Sequence, residues 1–346
     1  MSHPHHAALA PLGWSPSRQT ELDALGRPAA VPARVGRVDR GASVAVTAAG
    51  PVRVAASGLV AGDWIALEDG RPAHVLTRRT LLARRAAGRP DAEQAIAANV
   101  DVVAVVHGLD RPLRDRRLHR ALALAWESGA TPVVVLTKAD LADDGAARAL
   151  DAEVAFGVDA VPVSARTGEG LGALADRARP DRTLVLIGES GAGKSTLVNA
   201  LVGHDALATG AVRDGDAKGR HTTTARHLVP LPGGGALIDT PGVRELGLWG
   251  SVEGVRATFA DIAALAGGCR FADCRHDGEP GCAVAAAVAD GSLDPRRLDS
   301  HRDLMREMAA LARRDDERAR RAHGRQGSRM AREAVRHKRG RRPGRG

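Results

Sequence analysis

The stretch Gly188–Thr196, GESGAGKST, decides the fold of this 346-residue chain. It follows an apolar run of strand length at 183–187 and precedes a run suited to a helix at 197–201. In such a strand, loop and helix context, glycines let the backbone wrap around an anion, while the loop amides and the helix N-terminus face it. The stretch therefore predicts a nucleotide-binding loop in an α/β domain built on a parallel sheet.

This loop matches the pattern G-x-x-x-x-G-K-[ST] at every position. Lys194 is expected to reach the β- and γ-phosphates during catalysis, and Ser195 is expected to bind Mg²⁺. A chance glycine turn would not need both flanking elements, so we favour the nucleotide site. The residues predicted to bind the phosphates are Gly188, Glu189, Ser190, Gly191, Ala192, Gly193, Lys194, Ser195 and Thr196.

Composition narrows the class of protein. All three cysteines lie between 269 and 282, which argues against a disulfide scaffold and favours a reducing compartment, the cytoplasm. No run approaches the length of a membrane span, so no membrane contact is predicted. The net charge of +9 is uneven, because residues 313–346 hold 14 basic and 4 acidic residues. Residues 27–89 are also basic, so we expect both regions to contact a polyanion.

Changes in residue pattern and composition along the chain predict five regions. Residues 1–30 have no clear period and several prolines, and we interpret them as a flexible lead. Residues 31–90 hold about five short β-type runs between turns, which are typical of a small β-barrel such as an OB-fold. Alternating strands and helices at 91–250 predict the α/β domain. Residues 251–312 are mostly helical, and 313–346 form a basic tail expected to be mobile without a partner.

Two short elements before the phosphate loop indicate guanine recognition. The first, TKAD at 137–140, resembles the N-K-x-D motif, in which the aspartate accepts hydrogen bonds that guanine offers and adenine does not. The second, Ser-Ala at 164–165, resembles the loop that supports the base from its other side. Each is weak alone, but each ends a predicted strand. The residues predicted to bind the base are Thr137, Lys138, Ala139, Asp140, Ser164 and Ala165.

The order of these elements is unusual. Ordinary GTPases place the phosphate loop first and the guanine-reading elements last, whereas here both guanine elements precede the phosphate loop. The D-x-x-G segment follows it, with Asp239 expected in the Mg²⁺ shell and the Gly242 amide expected to sense the γ-phosphate. This order predicts a circularly permuted GTPase, in which the segment after Gly242 leads directly into the C-terminal region.

The residue that would orient the attacking water is not the usual glutamine. Val243 stands at that position, and an apolar side chain cannot orient water. His221 is the best local candidate for the catalytic role, with a loop residue or an RNA contact as the alternative. Thr223 or Thr224, in the threonine run beside it, is expected to ligate Mg²⁺.

A cysteine cluster predicts a structural metal. Three thiols and one imidazole within 14 residues suit tetrahedral Zn²⁺ with no open position. Buried free cysteines are the alternative, but they would not explain why every cysteine falls here. The predicted ligands are Cys269, Cys274, His276 and Cys282.

With these residues in place, the chain resembles the ribosome small-subunit-dependent GTPase family, known as RsgA or YjeQ. The resemblance covers about residues 33 to 312 and rests on motifs that are specific as an ordered set. They are VAGDW at 60–64, ANVD at 98–101, TKAD, GESGAGKST, RHTTT at 220–224, DTPGVRELGL at 239–248 and CRFADCRHDGEPGC at 269–282.

The resemblance implies a multidomain protein with an N-terminal OB-fold, a central permuted P-loop GTPase domain and a C-terminal, mostly helical zinc domain. It further implies that the protein acts in late maturation of the small ribosomal subunit, binds that subunit and its rRNA, and hydrolyses GTP to GDP when the subunit stimulates it. His221 falls at the family's proposed catalytic position, and the cysteine cluster falls on its zinc ligands. We expect a monomer.

Two departures and two alternatives accompany this interpretation. Thr137 replaces the commoner asparagine of the guanine motif, and the aromatic-poor barrel must bind RNA mainly by charge and shape. One alternative is a P-loop ATPase or small-molecule kinase. The other is a zinc-containing RNA-binding adaptor whose nucleotide site is only structural.

Overall fold

The computed structural model describes residues 4–39, 42–55, 58–86, 89–203, 226–240 and 252–340. Its α-helices are α1 (Pro4–Leu9), α2 (Pro16–Asp23), α3 (Asp115–Glu127), α4 (Gly145–Phe156), α5 (Leu171–Asp176), α6 (Lys194–Val202), α7 (Val252–Thr258), α8 (Ala260–Ala266), α9 (Ala283–Ala289) and α10 (Pro295–Gly340). Short 3-10 turns lie at Ala10–Leu12 and Ala139–Leu141. The strands are β1 (Val31–Asp39), β2 (Ala42–Thr47), β3 (Gly50–Val54), β4 (Trp64–Glu68), β5 (Arg71–Val75), β6 (Leu81–Ala86), β7 (Arg89–Ala98), β8 (Val102–Gly108), β9 (Thr131–Thr137), β10 (Ala160–Val163), β11 (Thr183–Gly188), β12 (Arg226–Pro230) and β13 (Ala236–Asp239).

A parallel sheet in the order β10-β9-β8-β11-β13 forms the centre of the molecule. Every residue of β8 is buried, as expected of a strand with helices on both faces. Alternate residues of β8 enter two separate cores. Val103 and Val105 pack with α3 and α4, while Val102, Ala104 and Val106 pack with α5 and α6. The α/β domain predicted from the alternating pattern is therefore present.

The central sheet continues into the N-terminal strands. β12 pairs antiparallel with β13 and then with the second half of β1. The first half of β1 pairs with β4, and its other edge pairs with β2, so β1 joins the N-terminal strands to the central sheet. β3 extends β2 and β5 extends β4. The five short strands expected in this region are all present, whereas their continuity with the nucleotide-binding sheet is not visible in the sequence.

The segment predicted to be a flexible lead is instead packed against these strands. α1 and α2 place Leu9, Leu12, Trp14 and Leu22 in a core with Trp64. The rings of Trp14 and Trp64 lie 4.9 Å apart between centroids. Two buried tryptophans supply enough apolar area to order a short segment. The prolines had led the sequence analysis to predict a flexible segment instead.

A hairpin links the N-terminal strands to the central sheet. β6 and β7 pair antiparallel as a separate two-stranded sheet, and β6 packs on α3. The sequence analysis placed a domain boundary at residue 90 and did not predict this hairpin. Register shifts after Leu82 and Arg85 interrupt the alternation of apolar and polar residues that identifies a strand.

The C-terminal helices form a core of their own on α3. Val255, Phe259, Ile262 and Leu304 are buried there, together with Ala123 of α3. Gly254 lies so close to the Ala123 carbonyl that a side chain at this position would clash. α10 continues as one helix to Gly340, so residues 313–340 of the predicted basic tail extend this helix, and their mobility without a partner stays a prediction. Within the described part of the chain, no helix combines the length and apolar character needed to cross a bilayer.

Candidate nucleotide and metal sites

The carboxyl ends of neighbouring strands bring the predicted nucleotide-binding residues to one edge of the sheet. β8, β9, β10, β11 and β13 run parallel, so their carboxyl ends share this edge. β11 leads into the phosphate loop, β9 and β10 lead into the two base-reading elements, and β13 ends at Asp239. Segments separated by about a hundred residues in the chain therefore form one site.

The phosphate loop needs glycine at two positions in particular. Gly188 has a φ of 148° and passes so close to the Val106 carbonyl that a β-carbon would clash with it. Gly193 has a φ of 86° and immediately precedes α6, so the helix N-terminus begins at Lys194. This geometry turns the chain sharply from strand to helix and leaves the helix amides facing the loop.

Lys194 closes the loop from within. Its Nζ donates to the Gly188 carbonyl at 2.7 Å and to the Glu189 carbonyl at 2.5 Å. The ammonium therefore lies inside the concavity that the loop backbone forms, where phosphate oxygens can become its acceptors. Ser195 and Thr196 are exposed at the start of α6, where a hydroxyl can contact a bound nucleotide and its metal.

Arginines that the sequence analysis missed brace the loop from outside. Arg117 and Arg111 form ion pairs with Glu189, and the Arg117 hydrogen bond holds the pKa of Glu189 below its usual value. The Gly191 carbonyl accepts from Lys138 at 3.0 Å and from Arg111 at 3.3 Å. Both arginines follow β8, and no sequence pattern connects that segment with the phosphate loop.

Thr137 ties the base-reading element to the phosphate loop. Its Oγ1 lies 2.6 Å from the Ala192 carbonyl and 3.2 Å from the His107 carbonyl, and the side chain is buried. Lys138 has a positive φ of 60° and pairs with Asp110 at 2.7 Å. A threonine hydroxyl thus links the two loops at the position where asparagine is commoner.

The carboxylate of Asp140, which is predicted to read the base, is held by two hydrogen bonds. One of its carboxylate oxygens accepts from the Ser164 hydroxyl at 2.6 Å, and the other accepts from Arg166 Nε at 2.8 Å. The bond from Ser164, and then that from Arg166, hold the pKa of Asp140 below its usual value, so the carboxylate is ionised at neutral pH. The Asp140 side chain is 11% exposed and that of Arg166 is 73% exposed. Arg166 can therefore swing away to let a base reach the carboxylate.

Asp239 is the buried carboxylate of the site. Burial raises its pKa, and the nearby positive charges of His227 and Lys194 oppose that rise. The adjacent Thr240 is held by a hydrogen bond from its Oγ1 to the Leu186 carbonyl at 3.0 Å. A buried carboxylate beside a phosphate loop is the donor type that Mg²⁺ prefers, so Asp239 and Ser195 fit the ion.

Several predicted residues lie outside the described part of the chain. These are His221, Thr223, Thr224, Gly242 and Val243. Their roles in catalysis, in the Mg²⁺ shell and in sensing the γ-phosphate stay predictions.

The four predicted metal ligands meet at one point. Their donor atoms all lie within 4.8 Å of one another. His276 Nδ1 lies 3.6 Å from Cys269 Sγ and 3.5 Å from Cys282 Sγ, and these two sulfurs are 3.9 Å apart. Zn–S bonds of about 2.3 Å and a Zn–N bond of about 2.0–2.1 Å at tetrahedral angles require about 3.8 Å between sulfurs and about 3.5 Å between sulfur and nitrogen. The distances among Cys269, His276 and Cys282 therefore match those of a tetrahedral site, and Cys274 lies close enough to supply the fourth ligand.

The surroundings fix the ligand loop. Cys282 Sγ accepts from the Ala285 amide at 3.3 Å and caps α9. The Glu279 carboxylate accepts from the amides of Arg275 at 2.9 Å and Asp277 at 2.7 Å. Arg302 of α10 donates to the His276 carbonyl. Four protein ligands leave no open position, which is typical of a structural metal.

Comparisons with known proteins agree with this geometry. A sequence model of the RsgA GTPase family matches residues 75–249. The small ribosomal subunit biogenesis GTPase RsgA of Streptomyces coelicolor is 48% identical over 340 residues, covering 92% of each chain. The protein of the same name from Opitutus terrae is 44% identical over 338 residues, covering 89% of this chain and 92% of that one.

Two solved structures share the fold. YjeQ from Thermotoga maritima has a TM-score of 0.61 and 24% identity, covering 81% of this chain and 99% of that one. YloQ, described as a circularly permuted GTPase, has a TM-score of 0.58 and 23% identity, covering 81% and 96%. These likenesses concern the fold, while the sequence matches concern the family. The chain belongs to the RsgA family of GTPases.

Proposed function

We propose that this protein binds the small ribosomal subunit and hydrolyses GTP to GDP and phosphate during late maturation of that subunit, which stimulates the reaction. One observation carries the proposal: Asp140, held by Ser164, lies at the same edge of the sheet as a complete phosphate loop. The names of relatives that cover 92% of the chain support the ribosomal partner.

Guanine rather than adenine fits the base site. The ionised Asp140 carboxylate has two oxygens that can accept from the N1–H and the N2 amino group of guanine. Adenine offers no such pair of donors, so binding it would leave the carboxylate unsatisfied. Arg166 occupies one of these oxygens and must release it when the base enters.

Mg²⁺ would be held by Ser195 and Asp239, together with the phosphates. Such an ion bridges phosphate oxygens and neutralises charge that develops during phosphoryl transfer. Lys194 would exchange its loop carbonyl acceptors for phosphate oxygens and stabilise the same charge. We propose that His221 orients the attacking water and that Thr223 or Thr224 completes the Mg²⁺ shell.

The remaining assignments concern metal, domains and partners. We propose Zn²⁺ for the Cys₃His cluster, because three thiolates favour a soft ion. We propose an OB-type barrel for the five N-terminal strands, followed by the GTPase domain and, from residue 251, a helical metal-binding domain. We also propose that the basic regions bind rRNA and that the protein acts as a monomer in the cytoplasm, where its partner subunit matures.

The decisive experiment measures GTP hydrolysis with and without purified small subunits over a salt series. We expect the subunits to raise turnover and the effect to decline with salt, because rRNA binding by basic residues releases counterions. Lys194→Ala is the control that abolishes turnover. ATP competing as well as GTP would favour a P-loop ATPase, and unchanged turnover with subunits would favour a nucleotide-bound RNA adaptor.

A further inference from the structure

A small charged cleft lies where the parallel strands β8 and β11 begin, at the edge of the sheet opposite the candidate nucleotide site. It has a volume of about 100 Å³ and is formed where the N-terminal segment, the first strands and the amino ends of β8 and β11 meet. Its floor is buried and includes Arg18, Arg34, Trp64 and Thr183. One water needs about 10–15 Å³ of such space, so the cleft suits several waters or one small anion.

The floor carries a buried cation whose acceptors are neutral. Arg34 is 1% exposed and donates to the Leu12 carbonyl, to the Asn99 carbonyl at 3.0 Å and to Thr183 Oγ1 at 2.7 Å. Among the described residues, its Nε has no hydrogen-bond partner. The guanidinium lies 5.3 Å from the centre of the Trp64 ring. A buried charge is costly unless an opposite charge compensates it.

A second buried arginine adds to this charge. Arg18 is 2% exposed, and its Nη2 donates to Asn99 Oδ1 at 2.6 Å. Glu21 pairs with Arg18 at 2.9 Å but is not part of the cleft. Burial lowers the pKa of Arg34 to about 10, the carboxylates of Asp101 and Asp63 oppose this shift, and the charge of Arg18 adds to it, so Arg34 stays charged at neutral pH.

The rim leaves the cleft with positive charge in excess. Arg79 and Arg182 lie there and are exposed, as is Asp181. The cleft is lined by four arginines and two aspartates, so four positive charges minus two negative charges leaves two. One of the aspartates, Asp101, already accepts from the Thr183 amide at 2.7 Å. Glu21 balances part of the Arg18 charge from outside the cleft, so an anion there would balance one to two positive charges.

We propose that this cleft binds an oxyanion of the phosphate class, either free phosphate or the terminal phosphate of an RNA strand. The buried arginines supply a positive electrostatic potential, and the guanidinium groups of Arg79 and Arg182 supply flexible hydrogen-bond donors at the mouth of the cleft. Because the cleft borders α2, β1 and the start of β11, an anion there holds the N-terminal segment on the nucleotide-binding domain.

The test is calorimetric titration of the full chain saturated with GDP and Mg²⁺, so that the phosphate loop is already filled. Inorganic phosphate, a 5′-phosphorylated trinucleotide and the same trinucleotide without the phosphate are titrated at constant ionic strength. We expect one equivalent of a phosphate-bearing probe to bind. R79Q/R182Q should weaken it by about tenfold or more, since two charge-assisted hydrogen bonds are lost.

The rim variants are used because replacing Arg34 or Arg18 could unfold the chain. Arg148→Gln is the matched control, because Arg148 is a partly exposed arginine outside the cleft. This variant should bind the phosphate-bearing probe as tightly as the unaltered protein. Binding of phosphate assigns the free ion, and binding of only the phosphorylated trinucleotide assigns an RNA end. The proposal is overturned if neither probe binds, or if R79Q/R182Q binds as tightly as the unaltered protein.

Discussion

At the residue scale, the proposed base specificity depends on one carboxylate, that of Asp140. Its two oxygens are held by Ser164 and Arg166, so the group is oriented before a base arrives. We expect Asp140→Asn to weaken GTP binding by about ten- to a hundredfold, because a charge-assisted pair of bonds is lost, and to favour xanthine nucleotides instead. Fluorescent-nucleotide competition measures both effects.

Asp144→Asn is the control for this substitution. Asp144 lies four residues further on, is exposed and pairs with Arg148, so its replacement should leave nucleotide preference unaltered. Unchanged GTP affinity in Asp140→Asn would remove Asp140 from base recognition.

His119 makes the stability of the folded protein depend on pH. It is buried between the rings of Phe156 and Phe259, with centroids 4.9 and 4.8 Å away. Burial, aided by the positive charge of Arg297, lowers its pKa from 6.5 to about 4. The unfolded chain therefore takes up a proton in a range where the folded chain does not, so stability falls as pH drops from about 6.5 towards 4.

We expect this histidine to account for a loss of about 2 kcal/mol in unfolding free energy between about pH 7 and about pH 5. Urea unfolding at the two values measures it. His119→Leu should lose less stability than the unaltered protein over this interval. An identical loss in both proteins would assign the pH dependence to other groups.

Among the elements, the phosphate loop owes its shape to close contact with β8. Gly188→Ala should distort the loop, since the added β-carbon would meet the Val106 carbonyl at a backbone φ that other residues avoid. We expect a cost of about 1–3 kcal/mol and loss of GDP affinity. Gly203→Ala, which also has a positive φ but open space around it, should lose stability alone. Calorimetry and thermal melts separate the two effects.

The metal loop is a second element whose geometry depends on its ligands. Its four donors converge between α8 and α9, so one bound cation would cross-link the loop and add its binding free energy to folding. Chelation should lower the melting temperature, and added Zn²⁺ should restore it. Cys274→Ser should melt lower and respond less to the chelator. Metal-free protein with an unchanged melting curve would mean that the cluster is not structural.

At the scale of the whole molecule, Arg297 fastens the C-terminal helices to the nucleotide-binding domain. It is 5% exposed, donates to Asp261 at 2.6 and 2.8 Å and reaches the Ala155 carbonyl of α4 at 3.1 Å. Its guanidinium lies 5.0 Å from the Phe259 ring centre. Because Asp261 is half-exposed, breaking this pair costs less than breaking a fully buried one.

We expect Arg297→Gln to reduce the unfolding free energy by about 1–3 kcal/mol and to speed proteolysis near α7. Arg296→Gln is the matched control, because the neighbouring Arg296 is exposed and pairs only locally with Asp294. Its cost should be about 0.5 kcal/mol or less. Equal effects of the two substitutions would show that Arg297 does not join the domains.

The sequence by itself determined the phosphate loop and the permuted order of the motifs, and it predicted the four residues that meet in the candidate metal site. Each depends on contiguous residues: glycines that allow a strained backbone, a strand that ends at an aspartate, and four donors within one short loop. Local chemistry identifies such features without knowledge of distant partners.

Only the tertiary structure decided the contacts between distant segments. These include the pairing of β1 with β12, the burial of Trp14 on Trp64, the bracing of Glu189 by Arg117 and the cleft over Arg34. The proline-rich first residues resembled a flexible lead because their apolar side chains have no partner nearby in the chain. Their burial depends on strands that follow later, and hydrophobic burial depends on which surfaces meet rather than on residue order.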